Sequence, residues 1–432
     1  MPTRARAPQG TGGTPGGGGQ NAGSAGPGSL FRVPLYSTKP RFVPDQLNQA
    51  IAVVPAQGAQ VPVPFTKLDQ LDIVRGIKMY ITGLETTWTA GSGKTLHLSP
   101  FFPASWFQQI TFKLQAAYNS FNQTGPLASI IQAYRPFWGS RATGNVNPNS
   151  FAKPSVVTPP DIDETPASYD MPNLAIDIPL SFRFDEYYDL TPKGAPIRKI
   201  YDAIVSPQFM AAQARVVTPT VLLSQSLSLN DALGAPVTKE TGDTTSTFGV
   251  DQAGTAELSR DAYWTANNIL ANPPQFPWQY TRDYFTQPTV GQSPVTVLIQ
   301  NTGISVGQVM SLYGFVWDPA LNSGIGGVVP LGDIATIQIV TGGSLLNRQY
   351  KPAGIQDRMQ SLYPNLLTDF PDGIFVLDFA LSQDGCYLTN EDCINTYIVN
   401  GVAVIITFNA GSIPSATSTV YLGVEALKMA TS

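Results

Sequence analysis

The chain has 432 residues, enough for two β-sandwich domains, and only 13% of them are charged, against roughly 25% in an average soluble domain. A net charge of −5 excludes a protein whose main work is wrapping nucleic acid, which needs a basic face. Two cysteines, Cys386 and Cys393, and one histidine, His97, exclude a disulfide framework, a four-cysteine zinc site and a histidine-rich metal centre.

Hydrophobic residues make up 43% of the chain and aromatics 10%. A surface so poor in charge must be built from Thr, Ser, Asn and Gln. It suits strands with one solvated face or areas buried against neighbouring subunits. The 39 glycines and 37 prolines are scattered along the whole length, so turns are frequent and long helices are not expected. The composition points to an all-β chain.

Residues 1–30 hold ten glycines and no aromatic residue. They cannot bury enough apolar surface to offset the entropy of ordering them, and a flexible arm is expected. Arg4, Arg6, Arg32, Lys39 and Arg41 all precede the first acidic residue, Asp45, making a basic leader on an acidic protein. No apolar core of a secretory signal is visible in it. The longest apolar runs, such as 402–408, are far shorter than the roughly 20 residues of a membrane-spanning helix.

Strand patterning begins near residue 61. Ile77, Met79 and Ile81 alternate with Lys78, Tyr80 and Thr82, and Ile110, Phe112 and Leu114 alternate with Thr111, Lys113 and Gln115. The same period from Leu174 through Ile176, Ile178, Leu180 and Phe182 to Phe184 predicts one long half-buried strand. An extended segment covers 216–229, with Pro219 marking an edge or bulge. Further strands are expected at 295–299, 311–317, 335–340, 374–379, 402–408 and 419–427. Helical spacing occurs at Leu127, Ile130, Ile131 and Tyr134 and at Ile355, Met359 and Leu362, the latter ending before Pro364. A third helix is expected over 196–213, split or kinked at Pro207. Residues 230–256 have no clear period. The organisation expected is an arm and lead-in at 1–60, a first sandwich at 61–235, a linker at 236–256 and a second sandwich at 257–432.

Motifs with catalytic potential are weak. Gly91, Ser92, Gly93, Lys94 and Thr95 look like the end of a phosphate-binding loop, but Trp88 stands where its first glycine belongs. A strand pattern follows where a helix N-terminus is needed. A hairpin turn is the better reading. His97 is the sole residue around which a Ser-His-Asp or Cys-His arrangement could form. Acidic groups occur at Asp161, Asp163 and Glu164, at Asp185, Glu186 and Asp189, and at Asp384, Glu391 and Asp392; they could hold a divalent cation or cleave sugars, but solvated loops explain them with less. Tyr263, Trp264, Phe276, Trp278, Tyr280, Tyr284 and Phe285 interleave with Pro273, Pro274 and Pro277. They read as anchors for a loop or contact, with a sugar-binding platform as the alternative. No catalytic, cofactor-binding or metal residue is assigned.

The run Leu367, Thr368, Asp369, Phe370, Pro371, Asp372, Gly373, Ile374, Phe375 follows the helix near Ile355 and leads into strands that close at Tyr421, Leu422, Gly423, Val424, Glu425. This order resembles the second jelly roll of major capsid proteins from tectivirus-like, lipid-containing tailless icosahedral phages. Ile73, Val74, Arg75, Gly76, Ile77 resembles the opening strand of their first. A Gly-rich start where that family can carry a helix is the main departure. The resemblance implies two consecutive eight-stranded jelly rolls, a double jelly roll, with a few short helices and the flexible arm. It also implies a non-enzymatic protein of the virion, made in the host cytoplasm, that forms pseudo-hexagonal homotrimeric capsomers. Its partners would be itself, neighbouring capsomers, vertex (penton) and minor capsid proteins and an internal lipid membrane reached by the arm, without sequence-specific nucleic-acid binding. A carbohydrate-binding or carbohydrate-cleaving β-sandwich is the alternative.

Overall fold

Alternation in the sequence becomes strand pairing in the computed structural model, which describes residues 41–134 apart from short gaps, strand segments between 167 and 264, residues 278–379 apart from 300–306, 343–346 and 363–369, and residues 393–396 and 401–429. All of these lie in one compact unit, Pro34–Ser432.

Antiparallel strands build the first half. Asp72–Thr82 lies between Thr255–Trp264 and Leu174–Pro179, and Arg41–Ala50 adds to the far side of Thr255–Trp264. Across this sheet Leu258, Met79 and Ile176 lie side by side. Met79 and Ile176 are fully buried, as the two-residue period demands of one face. A second sheet orders Thr247–Gln252, Glu85–Thr89 and Ala167–Asp170.

Here the structure departs from the sequence reading in several places. The stretch 236–256, expected as a linker, carries strands: Val237–Lys239 pairs with Leu96–Leu98, Thr247–Gln252 with Glu85–Thr89, and Thr255 and Ala256 open the strand beside Asp72–Thr82. Their partners lie far upstream, where a reading of local composition has no access to them. The single long strand expected over 174–184 is two. Leu174–Pro179 ends its ladder at Pro179, opposite Gly76, because proline has no N–H with which to continue. Phe182–Leu190 pairs elsewhere, with Pro196–Ala203. The helix expected over 196–213 therefore begins as a strand, in which Ile197, Ile200 and Tyr201 suit a pleated surface; residues 204–213 lie outside the described residues. The segment expected over 216–229 is described as a strand at Thr220–Gln225, between Ala59–Pro64 and Phe107–Gln115.

The second half stacks two sheets. One, of four strands, runs Val295–Ile299, Val402–Phe408, Ile334–Thr341, Asn347–Tyr350. Its inward row includes Val297, Ile299, Val404, Ile406, Ile337 and Ile339, all essentially inaccessible to water. Each such side chain contributes about 1.5–3 kcal/mol of burial. The other sheet has Gln308–Asp318 and Thr419–Met429 as neighbours, then Trp278–Pro288, with Gly327–Val328, Phe375–Asp378 and Ile394–Asn395 also pairing to Gln308–Asp318. Trp278–Pro288, whose aromatics read from the sequence as anchors for a loop or contact, is a full strand. The six second-half strands that the apolar alternation predicts fall where it put them, with ends shifted by up to three residues, while Gly327–Val328, Asn347–Tyr350 and Ile394–Asn395 are strands that it does not predict.

Two helices sit where spacing placed them. Gly125–Tyr134 has Leu127, Ile130, Ile131 and Tyr134 buried. It packs against Gln308–Asp318 and Thr419–Met429 of the second half as well as against Phe107–Gln115 of the first. Pro352–Leu362 buries Ile355 and Met359 against the Ile334–Thr341 and Phe375–Asp378 strands. With the first of these helices lying on it, the Gln308–Asp318 strand is buried along its entire length. Phe315 makes the link concrete, its ring centroid 4.6 Å from that of Phe101 and 5.3 Å from that of Tyr421.

Candidate functional site

The region that departs most from an ordinary sandwich is the seam where the halves meet. The second-half sheet does not stop at Trp278–Pro288. It continues through a parallel contact, Arg282 opposite Phe121, into Tyr118–Gln123, Phe107–Gln115, Thr220–Gln225 and Ala59–Pro64, so one sheet of ten strands spans both halves. The parallel pairing is a single register pair, and side chains extend it. Gln123 Nε2 donates to the carbonyl of Asp283 at 2.7 Å, and Tyr313 Oη donates to Gln123 Oε1 at 2.8 Å. Gln123 and Tyr313 are fully buried. Tyr313 can reach because its ring lies over Gly423, where a Cβ would stand 2.2 Å from the ring.

Next to it lies a buried ion pair. Arg282 Nη2 stands 3.3 Å from Glu425 Oε1, and Ser311 Oγ donates to Glu425 Oε2 at 2.8 Å. Glu425 is inaccessible to water and Arg282 nearly so. Such a pair is retained at a desolvation cost, and it stabilises only when both partners stay in place. These groups lock three strands in one register. Tyr313→Phe is expected to keep the ring over Gly423 yet leave the Gln123 amide with a buried, unmatched oxygen, lowering stability by about 1–3 kcal/mol. Urea denaturation of the two proteins measures it.

The turn that carried the resemblance is partly described. Leu367, Thr368 and Asp369 lie outside the described residues. Phe370 is buried in the second-half core. Gly373 has φ +114° and sits so close to the Val329 carbonyl that a Cβ would be 2.1 Å from its oxygen. Glycine is thus required twice over, by conformation and by space.

The sites proposed from sequence stand as follows. Gly91–Thr95 forms a turn, with the Lys94 N–H donating to the Gly91 carbonyl. It is not a hairpin, since the flanking strands Glu85–Thr89 and Leu96–Leu98 pair with Thr247–Gln252 and Val237–Lys239 and not with each other. The Gly91 N–H donates to Ser246 Oγ, which ties the loop to the segment that precedes Thr247–Gln252. Asp243 organises the facing segment: its carboxylate accepts from the hydroxyls and N–H groups of Thr245 and Ser246, and these bonds, the Ser246 hydroxyl foremost, hold it well below the usual carboxylate range. His97 is half-buried on a strand opposite Thr238.

Asp161, Asp163, Glu164, Asp384, Glu391, Asp392 and Cys386 lie outside the described residues. Asp185, Glu186 and Asp189 fall on the Phe182–Leu190 strand. Cys393 is buried. Among the described residues no three His, Cys, Asp or Glu side chains gather as a metal site. Of the aromatic segment, Tyr284 and Phe285 are half-buried and pack on the second-half core, and burial pushes the Tyr284 phenol up. They anchor a strand and offer no exposed platform.

Sequence reasoning missed the seam residues Gln123, Arg282, Ser311 and Glu425. The available signal was faint: Arg282 and Glu425 are charges in strands whose other charged residues are only Asp283 and Lys428.

No family model matches the sequence, and no curated protein matches it. Solved structures do. The protein of "Crystal Structure of the STIV MCP" superposes with a TM-score of 0.54 at 13% identity, covering 90% of this chain and 97% of that one. A chain from the atomic structure of Sulfolobus Turreted Icosahedral Virus gives 0.51 at 12% identity, covering 91% of this chain and 90% of that one. At such identities the likeness is one of architecture, and the architecture of this chain is the double jelly roll.

Proposed function

We propose that the chain is a major capsid protein, a structural and non-enzymatic subunit of an icosahedral virus shell. The observation that carries this reading is the match of fold over nearly the full length of both chains to the protein of the "STIV MCP" structure. The ten-stranded sheet supports it, because a subunit that tiles a shell must act as one block under lateral load, and a sheet shared by both halves makes it one. In this reading the first jelly roll runs through Trp264, whose strand closes the first-half sheet, and the second begins at Trp278.

Three chains then give six similar lobes, a pseudo-hexagonal homotrimer that tiles a near-flat facet. Vertex (penton) and minor capsid proteins complete such a shell. The basic, Gly-rich leader has the composition to meet an internal membrane of the tectivirus-like kind. The virion is the protein's working location and the host cytoplasm its place of synthesis. Light scattering of the purified protein is expected to give about three times the 46.3 kDa chain mass, independent of any cofactor. Electron micrographs should show three-fold, pseudo-hexagonal particles. A persistent monomer across salt conditions would sink the capsomer reading.

A further inference from the structure

The outward face of the four-stranded sheet is unusual in what it lacks. On it, Leu298, Ala403 and Val340 lie in one cross-strand row, and Thr296, Ile405 and Gln338 in the next. Outward faces of antiparallel sheets ordinarily carry Lys, Glu and Asp, yet no residue of these two rows is charged. The neighbourhood is the same: no Asp, Glu, Lys or Arg occurs between Asp283 and Asp318, nor between Asp392 and Glu425. The face belongs to the two stretches that these limits enclose and to the Ile334–Thr341 strand between them.

Exposed apolar bulk gathers at the same place. Among the described residues the large exposed hydrophobics are Val290, Leu298 and Ile413, at 60%, 59% and 48% exposure. Leu298 is on the Val295–Ile299 strand, which has a ladder partner on one side only among the described residues. Val290 lies in the turn just before this strand, and Ile413 in the loop just after the strand that pairs with it. Those two loops are joined by a bond from the Thr289 N–H to the Ser418 carbonyl. Val290 is also held at φ +54° in a tight turn closed by Gln292 N–H to the Thr289 carbonyl. A β-branched residue is a poor choice there, where Asn or Gly would relieve the strain. The chain thus accepts a strained turn and an exposed valine together, which points to a contact made outside the monomer.

We propose that this face, with Leu298 on its edge strand and Val290 and Ile413 at its margin, packs against a second copy of the chain; the inference rests on the capsid reading and names where subunits meet. Identical copies carrying a net charge of −5 repel wherever charged surfaces approach, and least across a surface with no charge. A charged partner would lose its hydration against this face without compensation. The three strands of this face, five to eight residues long and about 4.8 Å apart, present about 300 Å². The flanking loops that carry Val290 and Ile413 extend it toward the roughly 800 Å² each partner contributes to a standard stable interface.

The test compares wild type with Leu298→Glu and Thr296→Arg, both at exposed positions, and with Gln360→Glu on the exposed side of the Pro352–Leu362 helix as control. Sedimentation velocity across a dilution series and thermal melts are the readouts. The expected result is a wild-type trimer, an unchanged control, and at least about tenfold weaker association in the two face variants with unchanged melting temperatures. A trimer as strong as wild type in both variants would place the contact elsewhere and overturn the inference while leaving the capsid reading standing. A wild-type monomer would overturn the capsid reading itself. A face variant that melts early as a monomer would mean the face is covered within its own chain. Binding of wild type to phosphatidylcholine vesicles that Leu298→Glu abolishes, with the trimer intact, would assign the face to lipid. Either of these last two results also overturns the inference.

Discussion

Arg282→Met is expected to destabilise the protein by about 3–5 kcal/mol, seen as a large drop in the midpoint of guanidinium unfolding, because it strands a carboxylate where no water reaches. Glu425 has no accessible surface, and it also accepts from the Ser311 hydroxyl. The double variant Arg282→Met, Glu425→Leu removes both charges and should recover most of the loss. If the single variant cost less than about 1 kcal/mol, the pair would have to be solvated, in the range of exposed ion pairs. The pair's role is then one of register. Glu425 belongs to the central strand and touches both neighbours, Arg282 on one side and Ser311 on the other, so a slip of either strand would leave a buried charge unmatched.

Gly373→Ala is the second large effect, expected to cost about 2–5 kcal/mol by adding backbone strain to an overlap with the Val329 carbonyl. Gly411→Ala is the matched control. It has a similarly positive φ of +93° but nothing within 4 Å of the added Cβ, so it carries the conformational part alone. The difference in thermal stability between the two variants isolates the close approach. Equal losses would mean that Val329 yields and that the turn demands glycine for its backbone only.

Legibility in the sequence followed the range of the interaction. Val402–Phe408 alternates buried and half-buried residues along its entire length, so a local period sufficed to find it. The helix at Gly125–Tyr134 was legible for the same reason, through Leu127, Ile130, Ile131 and Tyr134. Trp278–Pro288 was not, because its composition speaks of loop while its ladder with Thr419–Met429, remote in sequence, makes it a strand. Pro196–Ala203 was misread as helix on similar grounds: its partner strand decides its conformation. Residues 236–256 looked like a linker since Asp, Thr and Gly dominate there, yet they pair with strands of the first half. The seam itself left almost no trace, as Gln123 and Ser311 are ordinary polar residues until the fold brings them to Tyr313 and Glu425. At Gly373 a sequence motif did carry structural information, although the reason for its glycine emerged only with the Val329 carbonyl in view.

The order of strands in the large sheet also governs what happens while the chain is being made. Thr419–Met429 is inserted between Trp278–Pro288 and Gln308–Asp318, both of which leave the ribosome well before it. At 5–20 residues per second, the hundred or so residues separating Asp318 from Thr419 take roughly 5–20 s to synthesise. Throughout that interval two long strands have edges open to any other nascent chain, the condition in which edge-to-edge aggregation starts. The chain is therefore most vulnerable just before Thr419–Met429 appears. Chaperone demand should concentrate there, and only a chain that has received that strand has a finished second lobe.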